Sequence, residues 1–468
     1  MPISPQHSQA QLSLRGFVEA DKAIDLLVQL REGTLRRGMS ERSAQRLDQF
    51  MPAVLAACSR TRDPDQSLQR MIDLLRAIRG RSTYIALLAE RPGVLKKLVE
   101  ILAAPWIARE LTRYPVLLDE VLDARPVLDV SSTAALQNAL TAELPDARDR
   151  DLEAEMDALR RFRRSATLQI ARLCLAREHS VEQTQRSLGL VAESIVGKAL
   201  TIAWRDVKTA GDSDMPPLAV IGLGPLGSGE LTFDAHLDLT FVRLDDADMG
   251  ICTRCAQRLV HILSAMTSAG RLYQVDSGLQ PLGNTGVVVS AISEFRDYHL
   301  SETRLLDTQA LLRARFVTGN AELAAAFEQT RSDVLLRSRD VDSLRTDILG
   351  NRDYLVSRLA QPSEGRFNVI SSAGGLLDVI CLTHFFILQH SDPGLIAKRN
   401  TGALLALLRA RSLGEASDID ELLHAYHAYA GLSQQTTLLE RTGEVSLSRA
   451  EPHVKQVRAI WSRVFRGV

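Results

Sequence analysis

Lysine is nearly absent from this sequence, and neither sign of charge is in excess. Only seven of its 56 basic residues are lysine, and 57 acidic residues bring the formal net charge to −1. This balance excludes a general polyanion binder, so we expect no nucleic-acid partner. No apolar run reaches about 18 residues, so we predict no membrane-spanning helix. The first residues lack a basic segment followed by an apolar one, and we expect no secretory signal.

Cysteine is also scarce, with five residues scattered along the chain. An odd, dispersed set is typical of a reducing compartment, and we predict a cytoplasmic protein. Cys252 and Cys255 form a C-x-x-C pair, but no second pair follows. They begin a helical pattern, so we interpret them as helix residues rather than as a zinc or redox site.

The hydrophobic pattern predicts a mainly α protein with a central α/β domain. Apolar residues at i, i+3 and i+4 indicate helices before residue 208 and again after residue 320. Between them, apolar runs separated by turns predict strands at 218–223, 237–244, 272–277 and 286–290, in a sheet with helices on one side. We therefore predict a helical region at 1–150, long helices and a linker at 151–217, the α/β domain at 218–320, and a helical bundle at 321–468.

A glycine-rich turn follows the first predicted strand. Gly222, Gly224 and Gly227 lack side chains, so the backbone N–H groups of this turn could approach a phosphate, and Ser228 could add a hydroxyl donor. The turn is not a dinucleotide fingerprint, because a second strand follows it at once without a crossover helix. A purely structural turn is the alternative interpretation.

Acidic residues follow the turn in the segment DAHLDLTF. Strand alternation would place Asp234, His236 and Asp238 on one face. Asp276 ends the third predicted strand and could bring another carboxylate to the same site. Strand, glycine-rich turn and strand-borne carboxylate together are typical of a palm that holds a triphosphate and Mg²⁺. The alternatives are a solvent-facing His236 and an ordinary turn at Asp276.

The run GLGPLGSGELTFDAHLDLTF resembles the signature of glutamine synthetase adenylyltransferases and, more distantly, of the uridylyltransferases of the PII signal protein. YQVDSGLQPLGNTG, TQALLRAR, AGGLLDV and RSTYIALLAERPGVLKKLVEI are similar to further segments of the transferase-bearing half of those enzymes. The resemblance implies a palm-like nucleotidyltransferase domain that transfers AMP from ATP to a tyrosine of glutamine synthetase. It implies Asp238 and Asp276 as catalytic, metal-binding carboxylates, with weaker candidates at Asp234 and His236, and Gly222, Gly224, Gly227 and Ser228 as nucleotide-binding residues.

The departures from the family pattern fall on charged positions. His236 stands for the first metal carboxylate, and Pro225 stands for a lysine of the turn. Further replacements are Ser228 and Gly229 for a glycine and a basic residue, Gly278 and Gln280 for two arginines, Asp307 for a glutamate, Ile370 for a lysine, and Ile380 for a glutamate. Because phosphoryl-type transfer depends on charge neutralisation, this set predicts a weakened metal and phosphate site.

Three functions stay open at this point. The first is a catalytically impaired protein that binds glutamine synthetase, a PII-type regulator or a catalytic paralogue, with no cofactor required. The second is an active adenylyltransferase that uses Mg²⁺ and ATP on Asp234, Asp238 and Asp276. The third is a helical scaffold unrelated to nitrogen control. We further expect Asp238 and Asp276 on adjacent strands, and a narrowed cleft in which Ile370 and Ile380 are buried.

Overall fold

A computed structural model describes residues 12–13, 15–32, 41–78, 82–122, 128–146, 151–276, 289–301, 305–359, 362–440 and 443–465. The chain forms two compact units. One comprises Met1–Val127 with Leu438–Glu440, and the other comprises Leu128–Thr437 with Arg441–Val468. The four-part division expected from the sequence stays a prediction.

The first unit consists of short amphipathic helices. Proline occupies the first turn in three of them, where its missing N–H costs no hydrogen bond. Asp63 caps one of these starts by accepting from the N–H of Gln66. The helices are α1 (Ala20–Glu32), α2 (Glu41–Cys58), α3 (Pro64–Ala77), α4 (Ser82–Glu90), α5 (Pro92–Ile101), α6 (Pro105–Arg113) and α7 (Leu118–Leu122), with a 3₁₀ turn at Pro115–Leu117.

The second unit begins with α8 (Thr133–Glu143) and two long helices, α9 (Leu152–Leu175) and α10 (Val181–Val207). A capping box of Ser180 and Gln183 starts α10. By length and composition α10 could cross a membrane, but 72% of its apolar window is buried inside the protein. Burial to this extent is typical of a helix in the core of a folded domain.

The central sheet has five strands, and its order is β3-β2-β1-β5 with β4 also paired to β2. β1 is antiparallel to both β2 and β5, whereas β3 and β4 run parallel to β2. The elements are β1 (Leu218–Gly222), α11 (Gly224–Ser228), β2 (Leu237–Arg243), α12 (Met249–Ser264), β3 (Val275–Asp276), β4 (Val289–Ala291), α13 (Ile292–Ser301), α14 (Leu305–Arg313) and β5 (Arg315–Gly319).

Helices cover both faces of the sheet, so the expectation of helices on one side is wrong. All five residues of β1 are buried. Ala219 and Ile221 join the core of the C-terminal helices. Val220 points to the opposite face and is the register partner of Thr318 in β5. Helix α10 packs on that face, because a Cβ on its Gly197 would lie 3.4 Å from the Thr318 hydroxyl. The continuous apolar run of β1 is the sequence signal for this two-sided burial.

The remaining elements form a helical bundle that shares its core with β1 and β2. A two-stranded antiparallel sheet joins its parts. The bundle comprises α15 (Ala321–Leu335), α16 (Val341–Ser357), β6 (Arg366–Asn368), α17 (Leu376–His390), α18 (Pro393–Ile396), α19 (Thr401–Ala410), α20 (Ala416–Leu438), β7 (Glu444–Ser446) and α21 (Leu447–Val464). The protein is therefore mainly α with one central α/β domain, as the sequence predicted.

Candidate functional site

The glycine-rich turn lies directly against Asp238. Gly224 has φ +49°, and a Cβ built on it would lie 2.3 Å from Oδ2 of Asp238. The backbone N–H of Leu223 donates to the carbonyl of Asp238 at 2.9 Å. The positive φ favours glycine at position 224, and any side chain there would force the Asp238 carboxylate to shift. Local chain geometry therefore brings the turn and the first candidate carboxylate together.

Gly222 and Gly227 serve close packing inside the turn. A Cβ on Gly227 would lie 2.1 Å from the carbonyl oxygen of Arg313, and one on Gly222 would lie 2.9 Å from Val317. Gly227 therefore lets the turn pack against the end of α14, and Gly222 lets the end of β1 pack against β5. Ser228 is buried, and its Oγ lies 2.9 Å from a guanidinium nitrogen of Arg313. A nucleotide-binding role for these residues stays a prediction.

Asp238 and Asp276 lie on adjacent strands, as predicted. β2 and β3 are parallel, and the two aspartates are direct register partners. Register partners of neighbouring strands point to the same face of a sheet. The Asp238 side chain is 17% exposed, and Asp276 is exposed at the strand end. This pair is the acidic centre of the candidate site.

His236 contacts the first of these carboxylates. Its Nε2 lies 3.2 Å from Oδ1 of Asp238, and its side chain is 54% exposed. The hydrogen bond to Asp238 raises the pKa of His236, burial opposes this effect, and the Asp238 and Asp276 charges add to it. An imidazolium in this position neutralises part of the charge that a metal ion would neutralise.

Asp234 does not share a strand face with these residues. β2 begins at Leu237, and Asp234 lies exposed in the turn before it. The expected alternation of Asp234, His236 and Asp238 along one strand is therefore wrong. The preceding chain bends because Ala235 N–H bonds back to the carbonyl of Thr232 instead of joining the sheet.

The residues present offer Mg²⁺ one carboxylate fewer than the family resemblance implies. Mg²⁺ requires hard oxygen ligands in near-octahedral geometry, whereas His236 offers a nitrogen that contacts one of the two remaining carboxylates. Within the described ranges, no group of three or more His, Cys, Asp or Glu residues could hold a metal ion.

Two arginines next to the turn form ion pairs within the protein. Arg313 pairs with the buried Glu230 at 2.8 Å, and Arg315 pairs with Glu193 at 2.5 Å. Arg315 also donates to the carbonyl of Gly227 at 3.1 Å. Both arginines lie in the segment TQALLRAR, which resembles the family, but the sequence predicted no role for them. The available signal was the run RARF, in which Arg313 and Arg315 flank Ala314.

The expectation of two buried isoleucines is not met. Ile370 is 40% exposed and Ile380 is half-buried. Val369, the neighbour of Ile370, takes the core position instead, because the turn that follows β6 directs alternate residues outward. Asp378 is buried and accepts from Arg352 at 2.9 Å. The predicted replacements at Gly278 and Gln280 lie outside the described residues.

Two other features carry no candidate chemistry. The thiols of Cys252 and Cys255 are buried, and burial raises their pKa to about 11 and about 12, so neither forms a reactive thiolate at neutral pH. A cavity of about 270 Å³ lies between α13, α14, α15 and α16. Its lining includes His299, Thr308 and Arg337 and none of the predicted site residues.

Comparisons with known proteins agree with the resemblance. Residues 95–330 match the model of the family described as glutamate-ammonia ligase adenylyltransferase. A relative from Nitrosococcus oceani is 34% identical over 97% of this chain and 49% of its own length. A relative from Thioalkalivibrio sulfidiphilus is 32% identical over 98% of this chain and 50% of its own length. A relative from Aromatoleum aromaticum is 35% identical over 90% of this chain and 45% of its own length.

Each of these relatives is named a bifunctional glutamine synthetase adenylyltransferase/adenylyl-removing enzyme. The chain spans about half the length of the relatives it matches. The family match covers the glycine-rich turn, Asp238 and Asp276, which form the geometric centre described above. The chain therefore belongs to the glutamate-ammonia ligase adenylyltransferase family.

Proposed function

We propose that this protein is a catalytically impaired relative of glutamine synthetase adenylyltransferases that acts by binding a nitrogen-regulation partner. The observation that carries the proposal is the contact between His236 Nε2 and Asp238 Oδ1 at 3.2 Å. The partner is glutamine synthetase or a PII-type regulator. We place the protein in the cytoplasm, in agreement with five free thiols at Cys58, Cys174, Cys252, Cys255 and Cys381.

Charge neutralisation is the physical reason for impaired transfer. Moving AMP from ATP to a hydroxyl leaves negative charge on the departing pyrophosphate, which cations must stabilise. Arg313 and Arg315 already pair with Glu230 and Glu193. Loss of one such electrostatic contact costs roughly 3–4 kcal/mol at a transition state. Because several such contacts are lost together, we expect this protein to turn over little or no ATP.

His236→Asp tests the metal side of this proposal. Restoring a carboxylate beside Asp238 should improve Mg²⁺-dependent ATP binding by about tenfold or more, equivalent to about 1.4 kcal/mol, without restoring full transfer. Isothermal titration with ATP in Mg²⁺ and in EDTA measures the effect. Asp246→Asn is the matched control and should change nothing, because Asp246 lies exposed in the turn after β2, at the other end of that strand from Asp238.

Tight Mg²⁺·ATP binding by the unmodified chain would refute the proposal. It would favour the second candidate, an active adenylyltransferase that uses ATP and Mg²⁺. Two observations support that candidate: the register pairing of Asp238 with Asp276, and the close approach of Gly224 to Asp238. In that case Asp238→Asn should abolish binding, and transfer of labelled AMP to glutamine synthetase should be detectable.

Binding to the partner is measured separately. Purified glutamine synthetase and a purified PII protein are each titrated against the immobilised full chain, without nucleotide. Saturable binding of either protein is expected, and His236→Asp should leave its affinity unchanged. If neither protein binds, the chain acts outside nitrogen control, and the helical-scaffold alternative replaces this proposal.

A further inference from the structure

Glu230, two residues after Ser228 in the chain, carries a buried carboxylate with three hydrogen-bond partners. Its residue is 6% exposed. Oε2 accepts from Arg313 at 2.8 Å. Oε1 accepts from the hydroxyl of Tyr426 at 2.6 Å and from the backbone N–H of Thr401 at 3.0 Å. Its own N–H donates to the carbonyl of Pro225 at 2.8 Å.

These bonds reach two different parts of the second unit. Thr401 is the first residue of α19, so its N–H is one of the donors that a helix start leaves without an intrahelical acceptor. Tyr426 lies on α20, and burial together with the Glu230 charge raises its pKa, so its hydroxyl stays protonated and donates. The carboxylate therefore accepts one hydrogen bond from the start of α19 and another from a side chain of α20.

The same network holds the glycine-rich turn on its other side. The guanidinium of Arg313 that pairs with Glu230 also lies 2.9 Å from Oγ of Ser228. Gly227 packs on the carbonyl of Arg313, and Gly224 packs on Asp238. The path from Tyr426 to Asp238 therefore runs through Glu230 and Arg313 by hydrogen bonds and an ion pair. It continues through the close-packed glycines of the turn to the Asp238 carboxylate.

We propose that Glu230 is a positioning residue that couples the glycine-rich turn beside Asp238 to helices α19 and α20 of the C-terminal bundle. A buried charge keeps its place only while its partners remain, because an unpaired buried charge or donor is costly. Loss of the Tyr426 hydroxyl, or displacement of the Thr401 N–H at the start of α19, therefore loosens the turn. A ligand that orders the turn orders these helices in return. This coupling is independent of whether the site binds nucleotide.

Hydrogen exchange of the full chain tests the coupling, with Tyr426→Phe as the variant. Phenylalanine keeps the buried ring and removes the hydroxyl, which donates to Glu230 at 2.6 Å and accepts from Nδ2 of Asn400 at 3.4 Å. Tyr429→Phe is the matched control, because Tyr429 is buried on the same helix and its hydroxyl donates to the carbonyl of Gly374 at 2.8 Å. The readout is amide exchange in a peptide covering residues 222–233, measured by mass spectrometry.

Tyr426→Phe should accelerate exchange in residues 222–233 about tenfold, as expected for a lost hydrogen bond to a charged acceptor. Tyr429→Phe should leave this peptide unchanged and accelerate exchange only around residues 369–378. Equal acceleration in both variants, or no change in Tyr426→Phe, overturns the proposal. Glu230→Gln provides the reciprocal test, because it should accelerate exchange at the start of α19.

Discussion

At the scale of single residues, two glycines with positive φ differ in what surrounds them. Gly224 combines a positive φ with direct contact to Asp238, whereas Gly229 has φ +73° and open space around its Cβ position. Both positions disfavour side chains because of their backbone conformation. Only Gly224 adds a steric requirement, which links the turn to the site.

Gly224→Ala should therefore destabilise the protein more than Gly229→Ala. We expect about 1 kcal/mol for Gly229→Ala from backbone strain. For Gly224→Ala we expect about 1–3 kcal/mol more, because the new methyl group overlaps the Asp238 carboxylate. Urea denaturation midpoints with a constant m-value measure both changes.

The contact with Asp238 can be isolated by a double mutant. Asp238→Ala in the Gly224→Ala background should recover the additional loss, since it removes the overlapping oxygen. If the double mutant is as unstable as Gly224→Ala alone, the collision with Asp238 is not the cause.

At the scale of elements, arginine side chains hold the ends of helices. Buried Arg160 on α9 donates to the carbonyls of Ala265 and Gly270 just beyond α12, at 2.6 Å each. Buried Arg331 on α15 donates to the carbonyls of Leu311 and Leu312 in α14. Carbonyls at helix ends lack intrahelical donors, and a guanidinium supplies several donors in a fixed plane. Part of the arginine content therefore has a structural use that a lysine could not fill.

Arg160→Met should lower the free energy of unfolding by about 2–4 kcal/mol, because buried carbonyls lose their donors while the apolar volume is kept. Arg161→Met is the neighbouring control. The Arg161 side chain is 49% exposed and lies 3.8 Å from Glu143, so its loss should change stability by no more than about 0.5 kcal/mol. Calorimetric or chemical denaturation of both variants gives the comparison, and equal losses would contradict the structural role.

At the scale of the whole molecule, buried histidines make stability depend on pH. Burial, with the Arg313 charge as the second cause, lowers the pKa of His384 to about 3. Burial also lowers the pKa of His299 to about 4, opposed by Asp307. An unfolded histidine has a pKa near 6.5, so below that pH the unfolded chain binds protons that the folded chain does not. Stability therefore falls as the pH drops from about 6.5 toward 4.

His384→Gln should make the free energy of unfolding less dependent on pH between 4 and 6.5. Each neutral buried histidine contributes a slope of up to about 1.4 kcal/mol per pH unit in this window. The measurement is a series of urea titrations at several pH values. His424→Gln, at an exposed position on α20, should leave the slope unchanged. An unchanged slope in His384→Gln would show that this residue is not held neutral.

The sequence alone determined the class of fold, the family and the local order of strand, turn and strand. These features depend on contacts between near neighbours: the apolar run of β1, the glycines of the turn, and the alternation that places Asp238 in β2. That Asp238 and Asp276 lie on adjacent strands was also predicted from the family resemblance, whereas their exact register was not.

Tertiary structure decided the rest. β5 was missed because RFVTG is short and half-buried, and it becomes a strand only by pairing with β1. Asp234 left the predicted strand face because a turn ends before β2, and Ile370 turned outward because Val369 fills the core. The partners of Glu230, Arg313 and Arg315 come from segments 83 to 196 residues away. Such contacts depend on how helices pack, and no local pattern of apolar and polar residues encodes them.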